Sequence, residues 1–178
     1  MAMALLSQPR LTDGALRVTV ADAIGMAALA EAVAPLAKRG DVVALRGPLG
    51  AGKTVFCRGF IAARARAAGL GSEGIGEVPS PTFTLVQTYD LPDTPIWHFD
   101  LFRLEQAEDA LELGIEEAFA LAISLIEWPE RLGSLLPAGR LDLEIAFTGE
   151  GDGRALRLSG GGSWPSRLVQ LAQTLTMS

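Results

Sequence analysis

The 178-residue sequence has no asparagine, one cysteine (Cys57), one histidine (His98) and one tyrosine (Tyr89). Each scarcity excludes something. A lone cysteine rules out an intrachain disulfide and any multi-cysteine zinc site. Without asparagine, the guanine-reading N-K-x-D motif of GTPases cannot be present. No uncharged apolar run approaches the roughly 20 residues of a membrane-spanning helix. Met1–Leu6 has no basic segment ahead of its short apolar run, which argues against a signal peptide. Basic residues are also in short supply, 15 against 21 acidic ones, for a net charge of −6 and a pI of about 4.8. A protein that grips nucleic acid unaided usually carries a strong basic surface. The overall charge gives no sign of one, so any link to RNA is expected to run through a partner protein. The expected location is the cytoplasm.

Apolar residues are plentiful, at 49% of the chain, with 20% charged. That balance belongs to a globular protein, and the length suits a single domain over 1–178 with a substantial core. Residues 1–14 read as a loose arm ahead of it.

The most informative stretch is Gly47-Pro48-Leu49-Gly50-Ala51-Gly52-Lys53-Thr54, which fits the phosphate-binding pattern G-x-x-x-x-G-K-[ST]. Its glycines let successive backbone N–H groups turn inward toward phosphate oxygens, and Lys53 can reach the β- and γ-phosphates. Thr54 offers a hydroxyl to Mg²⁺. Leu49, Gly50, Ala51, Gly52, Lys53 and Thr54 are therefore the expected nucleotide-binding residues. The flanks agree: Val42–Leu45 reads as a buried strand, and Phe56, Phe60 and Ala63 repeat at helical spacing. The helix N-terminus adds partial positive charge beneath the phosphates.

Along the rest of the chain, Leu16–Val20 alternates as a strand, and Ala21–Lys38 reads as a helix disturbed near Pro35. Residues 68–80 form a glycine-rich, mobile connection. Strands are expected over 84–89 and 95–99, and a helix over 107–119. Ala120–Ile126 is the most continuous apolar run and stops at Glu127-Trp128-Pro129. Residues 141–147 and 155–158 suggest a hairpin, and 164–177 a terminal helix. Helices alternating with buried strands predict an α/β three-layer fold, with a mostly parallel sheet, helices on both faces and an antiparallel C-terminal edge.

Ligands of such sheets sit at the carboxyl ends of the strands, which singles out Asp100 and Glu127. The run before Glu127 is the more apolar and so the better central strand. Glu127 is accordingly assigned to the metal, with Asp100 left to orient the attacking water or act as its base. Ser80, Thr82 and Thr84 lie in a proline-stiffened segment suited to sensing a γ-phosphate. Arg103 and Arg131 lie beyond the two carboxylates and are candidates for offsetting phosphate charge. His98, two residues before Asp100 on a strand, shares that residue's face. Trp128 is a candidate to pack beside the nucleotide, the alternative being the core position that large aromatics at strand ends usually take. Asp100 is followed by Leu101-Phe102-Arg103, so the D-x-x-G switch of GTPases is also missing.

The phosphate loop, Ser80-Pro81-Thr82-Phe83-Thr84-Leu85-Val86, His98-Phe99-Asp100-Leu101-Phe102-Arg103-Leu104 and Glu127-Trp128-Pro129 occur in that order. In series they resemble the bacterial TsaE (formerly YjeE) ATPases, over roughly Val18 to Arg154. The resemblance implies an ATPase using ATP and Mg²⁺ that works with the TsaD and TsaB proteins. Together they make the threonylcarbamoyl modification on the adenosine beside the tRNA anticodon. It also implies that Thr54 and Glu127 ligate Mg²⁺ and that Lys53 and Asp100 serve hydrolysis. Where the family often has a second threonine after the loop, this chain has Val55. The competing reading is a small-molecule or nucleotide kinase built on the same loop and sheet.

Overall fold

The computed structural model describes residues 6–71, 77–149 and 151–177. Their strands form one eight-stranded sheet, in the spatial order β1-β2-β8-β7-β3-β6-β5-β4. In chain order these are β1 (Arg10–Thr12), β2 (Ala15–Val20), β3 (Val42–Arg46), β4 (Val86–Tyr89), β5 (Ile96–Asp100), β6 (Ile123–Glu127), β7 (Leu141–Phe147) and β8 (Arg154–Gly160). The helices are α1 (Ala23–Val33), α2 (Lys53–Ala67), α3 (Asp109–Glu112), α4 (Ile115–Leu121) and α5 (Trp164–Met177).

The sheet is mixed, which corrects the expectation of a mostly parallel one. Only β3–β6, β3–β7 and β5–β6 pair in parallel. The pairs β1–β2, β2–β8, β7–β8 and β4–β5 are antiparallel. The inner strands were legible because β3 and β6 are apolar along nearly their whole length, as strands covered on both faces must be. The hairpin expected over 141–147 and 155–158 is present as the antiparallel β7–β8 pair, whereas the patterns of β1, β2 and β4 do not reveal that antiparallel pairing extends to both edges. In β2, Leu16, Val18 and Val20 are buried while Arg17 and Thr19 are exposed.

The expected loose arm is structured from Leu6 onward. Leu6 bridges Val20, the Ser7 N–H donates to the Thr19 carbonyl at 2.8 Å, and β1 lines up on β2. A three-residue strand held by its neighbour leaves little periodic signal in sequence. Part of the glycine-rich connection expected over 68–80 lies outside the described residues, as does Glu150 in the β7–β8 turn.

Two apolar layers cover the sheet. α1, α2 and α5 pack on one face through Met26, Leu29, Phe56, Phe60, Trp164 and Leu168, against Val43, Leu45, Leu125 and Leu156. On the other face, α3, α4 and the 3-10 segment Pro129–Leu135 enclose Val42, Phe99, Ile115, Ile126 and Leu132. This second layer lies over the β3–β6–β5 side. α1 begins at Asp22, whose Oδ1 accepts the Gly25 N–H at 2.9 Å, an N-cap bond. It gives way to a 3-10 turn at Ala34–Leu36, where Pro35 cannot continue the helical bonding. The helix expected over 107–119 is instead two short ones, α3 and α4, separated at Gly114.

Candidate functional site

The parallel strands end together. In the register of β5 and β6, Asp100 lies opposite Glu127, and Glu127 lies opposite Leu45 at the end of β3. The loop that follows β3 runs straight into α2, so the first turn of that helix faces both carboxylates. Lys53, Asp100 and Glu127 are each 5% exposed or less, unusual for charged side chains.

Glu127 is the hub. The Thr54 hydroxyl donates to its Oε1 at 2.9 Å and lies 3.1 Å from Oε2. His98 Nε2 is 2.8 Å from the same Oε1, and because a carboxylate only accepts, Nε2 carries the proton. His98 Nδ1 is buried and has no partner among the described residues. His98 does share a face with Asp100, as expected, but the carboxylate it holds is Glu127. Cys57 lies against this pair, with ligand atoms of Cys57, His98 and Glu127 all within 4.8 Å. Its thiol pKa is raised well above normal, first by burial and then by Glu127 and Asp100, so it stays protonated and inert.

Asp100 is held separately. Its Oδ2 accepts from the Thr82 hydroxyl at 2.9 Å, and its Oδ1 from the Phe102 N–H at 3.1 Å. The Ser80 hydroxyl continues this chain to Thr82 at 2.7 Å. Thr84 does not join it; its hydroxyl meets only the Gln87 amide, at 3.5 Å. Ser80 and Thr82 thus reach the site and Thr84 does not.

Lys53 folds back over its own loop, donating to the carbonyls of Gly47 at 2.7 Å and Pro48 at 3.0 Å. Its ammonium lies 4.1 Å from the centre of the Trp128 ring, which in turn contacts Phe102 at 4.9 Å. Burial lowers the Lys53 pKa, and Glu127 and Asp100 oppose that shift. Trp128 sits in the left-handed region at φ 60°, a conformation bulky residues rarely adopt. The turn swings its ring from the end of β6 over the lysine.

Together these groups line a cleft of about 340 Å³, walled by Leu49–Val55 on one side and by Thr82, Asp100, Glu127 and Trp128 on the other. A second hollow of about 410 Å³ continues past Gly50–Gly52 and Val55, toward Ile24 and Met26 of α1 and toward Arg154. In sequence, Arg154 closes the turn from Thr148 that, with the start of the first helix, is a candidate place for adenine. Its Nε donates to the Ala51 carbonyl at 3.1 Å and its Nη2 to that of Gly50 at 3.3 Å, which pins those carbonyls to β8. No local signal could have found this clamp, because Arg154 lies some hundred residues from the loop it holds.

Arg103 and Arg131 stay outside. Arg103 stacks on Phe83 with 4.6 Å between guanidinium carbon and ring centre, and Arg131 is exposed. Neither meets Asp100 or Glu127.

Residues 20–156 match the family model described as threonylcarbamoyl adenosine biosynthesis protein TsaE. The chain belongs to the TsaE family. A relative from Rickettsia bellii, described as tRNA threonylcarbamoyladenosine biosynthesis protein TsaE, is 41% identical over 119 residues, covering 65% of this chain and 76% of its own. A Bacillus subtilis relative of the same description is 40% identical over 124 residues, covering 69% and 72%. The crystal structure of Bacillus subtilis YdiB superposes with a TM-score of 0.68 at 28% identity, over 96% of this chain and 97% of that one. The TsaE match takes in the phosphate-loop motif, Thr82, Asp100, Glu127 and Arg154. The chain's family role is accordingly in tRNA threonylcarbamoyladenosine biosynthesis. Among the described residues, no helix is long and apolar enough to cross a membrane.

Proposed function

We propose that this chain binds Mg²⁺ and ATP in the cleft between the Gly47–Thr54 loop and the ends of β5 and β6, and hydrolyses the nucleotide. It does so as the cytoplasmic ATPase partner of TsaD and TsaB, which present the tRNA. The observation that carries the reading is the convergence of Lys53, Thr54, Asp100 and Glu127, from three separate segments, on one cleft at the start of α2.

The donor set suits Mg²⁺. Thr54 and Glu127 offer hard oxygens already in contact with each other, and a divalent cation of this kind takes oxygen ligands and keeps several waters. When bound, the ion offsets phosphate charge. The chain's own groups account for the remaining work. Loop N–H groups and the Lys53 ammonium hold phosphate oxygens, which requires Lys53 to leave the Gly47 and Pro48 carbonyls. Asp100 orients a water or takes its proton at a carboxylate oxygen, with Thr82 and the Phe102 N–H fixing that carboxylate. His98 holds Glu127 in place through Oε1. The hollow beside α1 and Arg154 has room for the base of the nucleotide.

Phosphate release from ATP by the purified chain, with and without TsaD–TsaB, tests the reading. Slow release stimulated by the pair is expected. Full-rate hydrolysis without partners, or no binding to the pair in a pull-down, would overturn it. ADP release that required an organic acceptor would assign the cleft to phosphate transfer instead.

A further inference from the structure

A hollow larger than the cleft above lies elsewhere. It is a groove of about 900 Å³ on the face of β1, β2, β8, β7 and β3 turned away from α1 and α5. The second apolar layer covers only the β3–β6–β5 side, so no helix among the described residues covers this half of the sheet.

Across it runs a single line of charge. The registers place Arg10 opposite Arg17, Arg17 opposite Arg157, Arg157 opposite Glu144 and Glu144 opposite Arg46. Neighbouring strands lie about 4.8 Å apart, so four arginines and one carboxylate stand in an evenly spaced row of roughly 19 Å. All five line the groove. Arg10 has no ion-pair or hydrogen-bond partner among the described residues, and Arg17 bonds only to Thr12, which is uncharged. Arg157 meets Glu144 at 3.2 Å, and Arg46 reaches Glu130 and Asp142 at 3.4 Å each. On a chain of net charge −6, the Arg10–Arg17 end of this row carries positive charge with no carboxylate partner among the described residues, while Arg157 and Arg46 share theirs with Glu144, Glu130 and Asp142.

We propose that this groove binds the phosphodiester backbone of RNA. Three features favour that occupant over an acidic protein surface. The cations are all arginines, whose planar forks match phosphate oxygens two at a time. Arg10, Arg17 and Arg157 stand on three successive strands in one line, with Arg46 beyond Glu144, an arrangement that suits a linear polyanion. The family's role is in modifying tRNA. No aromatic side chain lines the groove, so bases have nothing to stack on and binding is independent of sequence. Arg10, Arg17 and Arg157 lie outside the matched residues 20–156, while Arg46 and Glu144 lie within them. The low overall charge is thus a poor guide to what this face does.

The test is fluorescence anisotropy of the full chain with a labelled unmodified tRNA transcript and a labelled oligouridine, without nucleotide, so that it reads RNA binding independently of ATP hydrolysis. Binding of ATP to each variant is measured alongside and is expected to match the parent. The double variant Arg17→Glu/Arg157→Glu is expected to bind both RNAs at least about tenfold more weakly, with the salt slope flattened by about 1.5. Glu144→Gln, which removes the carboxylate from the row, is expected to tighten binding about twofold or more, a gain that loss of structure would not produce. Should charge reversal unfold the chain, Arg10→Gln/Arg17→Gln on the exposed edge ribbon replaces it. Parent-like RNA affinity in the arginine variants, no gain with Glu144→Gln, or no RNA binding by the parent at about 50 mM salt would overturn the proposal. Loss of a protein partner with RNA affinity intact would overturn it in favour of an acidic protein surface.

Discussion

Lys53 is a cation held where water is scarce, and its surroundings state what it is waiting for. Burial lowers its pKa below 10.5 despite two nearby carboxylates. Under the proposed function the charged form holds phosphate, so nucleotide affinity should decline with rising pH, and the decline should begin below the usual lysine range. Titrating ATP affinity from about pH 7 to about 10 checks this, and a flat profile up to the ordinary lysine value would count against it. For folding the sign is reversed: charging this lysine costs the folded state, a penalty that is full below its depressed pKa and relieved as pH rises from there to the ordinary lysine value. Asp100 has a different part. Asp100→Asn keeps the shape and the Phe102 N–H contact but removes the base, and should leave ATP binding within about twofold while hydrolysis falls about a hundredfold or more. A parallel loss of binding and rate would place Asp100 in nucleotide binding instead. Glu127→Gln should weaken the Mg²⁺-dependent part of nucleotide affinity, read by titrating ATP with and without the ion.

At the scale of elements, the site depends on how sharply β3 turns into α2. Gly47 has φ +150°, and a Cβ there would come within 2.7 Å of the Ile145 carbonyl oxygen on β7. Gly47→Ala therefore strains both the residue and the β3–β7 seam. It should cost at least about 2 kcal/mol in denaturant unfolding and weaken nucleotide binding with it. An unchanged unfolding midpoint would mean that the loop relaxes without cost. The two carboxylates owe their meeting to the parallel register of β5 and β6, in which Asp100 and Glu127 are direct neighbours. The apolar run before Glu127 made its central position readable. The separate partners of the two carboxylates, Thr54 with His98 for one and Thr82 with a backbone N–H for the other, were not readable. They depend on which residue of α2 and of the 80–85 segment lies closest in space.

For the molecule as a whole, the core extends beyond the family-matched segment. Trp164, at the start of α5, is fully buried, and Leu168 and Leu171 follow it onto the layer shared with α1 and β2. Trp164→Ala should destabilise by about 3–5 kcal/mol and lower the melting temperature by on the order of 10 °C. A shift of a degree or two would mean that α5 is an accessory to the core. The global charge misled in a similar way. A net charge averages over both faces, whereas the arginine row is assembled by strand pairing from residues as distant in sequence as Arg10, Arg46 and Arg157.

The sequence alone determined the Gly47–Thr54 motif, its flanking strand and helix, and the two carboxylates at strand ends. Each of these is written in contiguous residues whose spacing follows from local geometry. It also determined which strands are innermost, because an interior strand must be apolar on both faces. Tertiary structure decided the antiparallel pairing beyond the β7–β8 hairpin, the ordering of residues 6–12 against β2, the clamp of Arg154 on the loop, the pairing of His98 with Glu127, and the line of arginines across one face of the sheet. Those depend on register and on which faces remain uncovered. Alternation along a strand tells which residues share a face, but only pairing with its neighbours tells what that face meets.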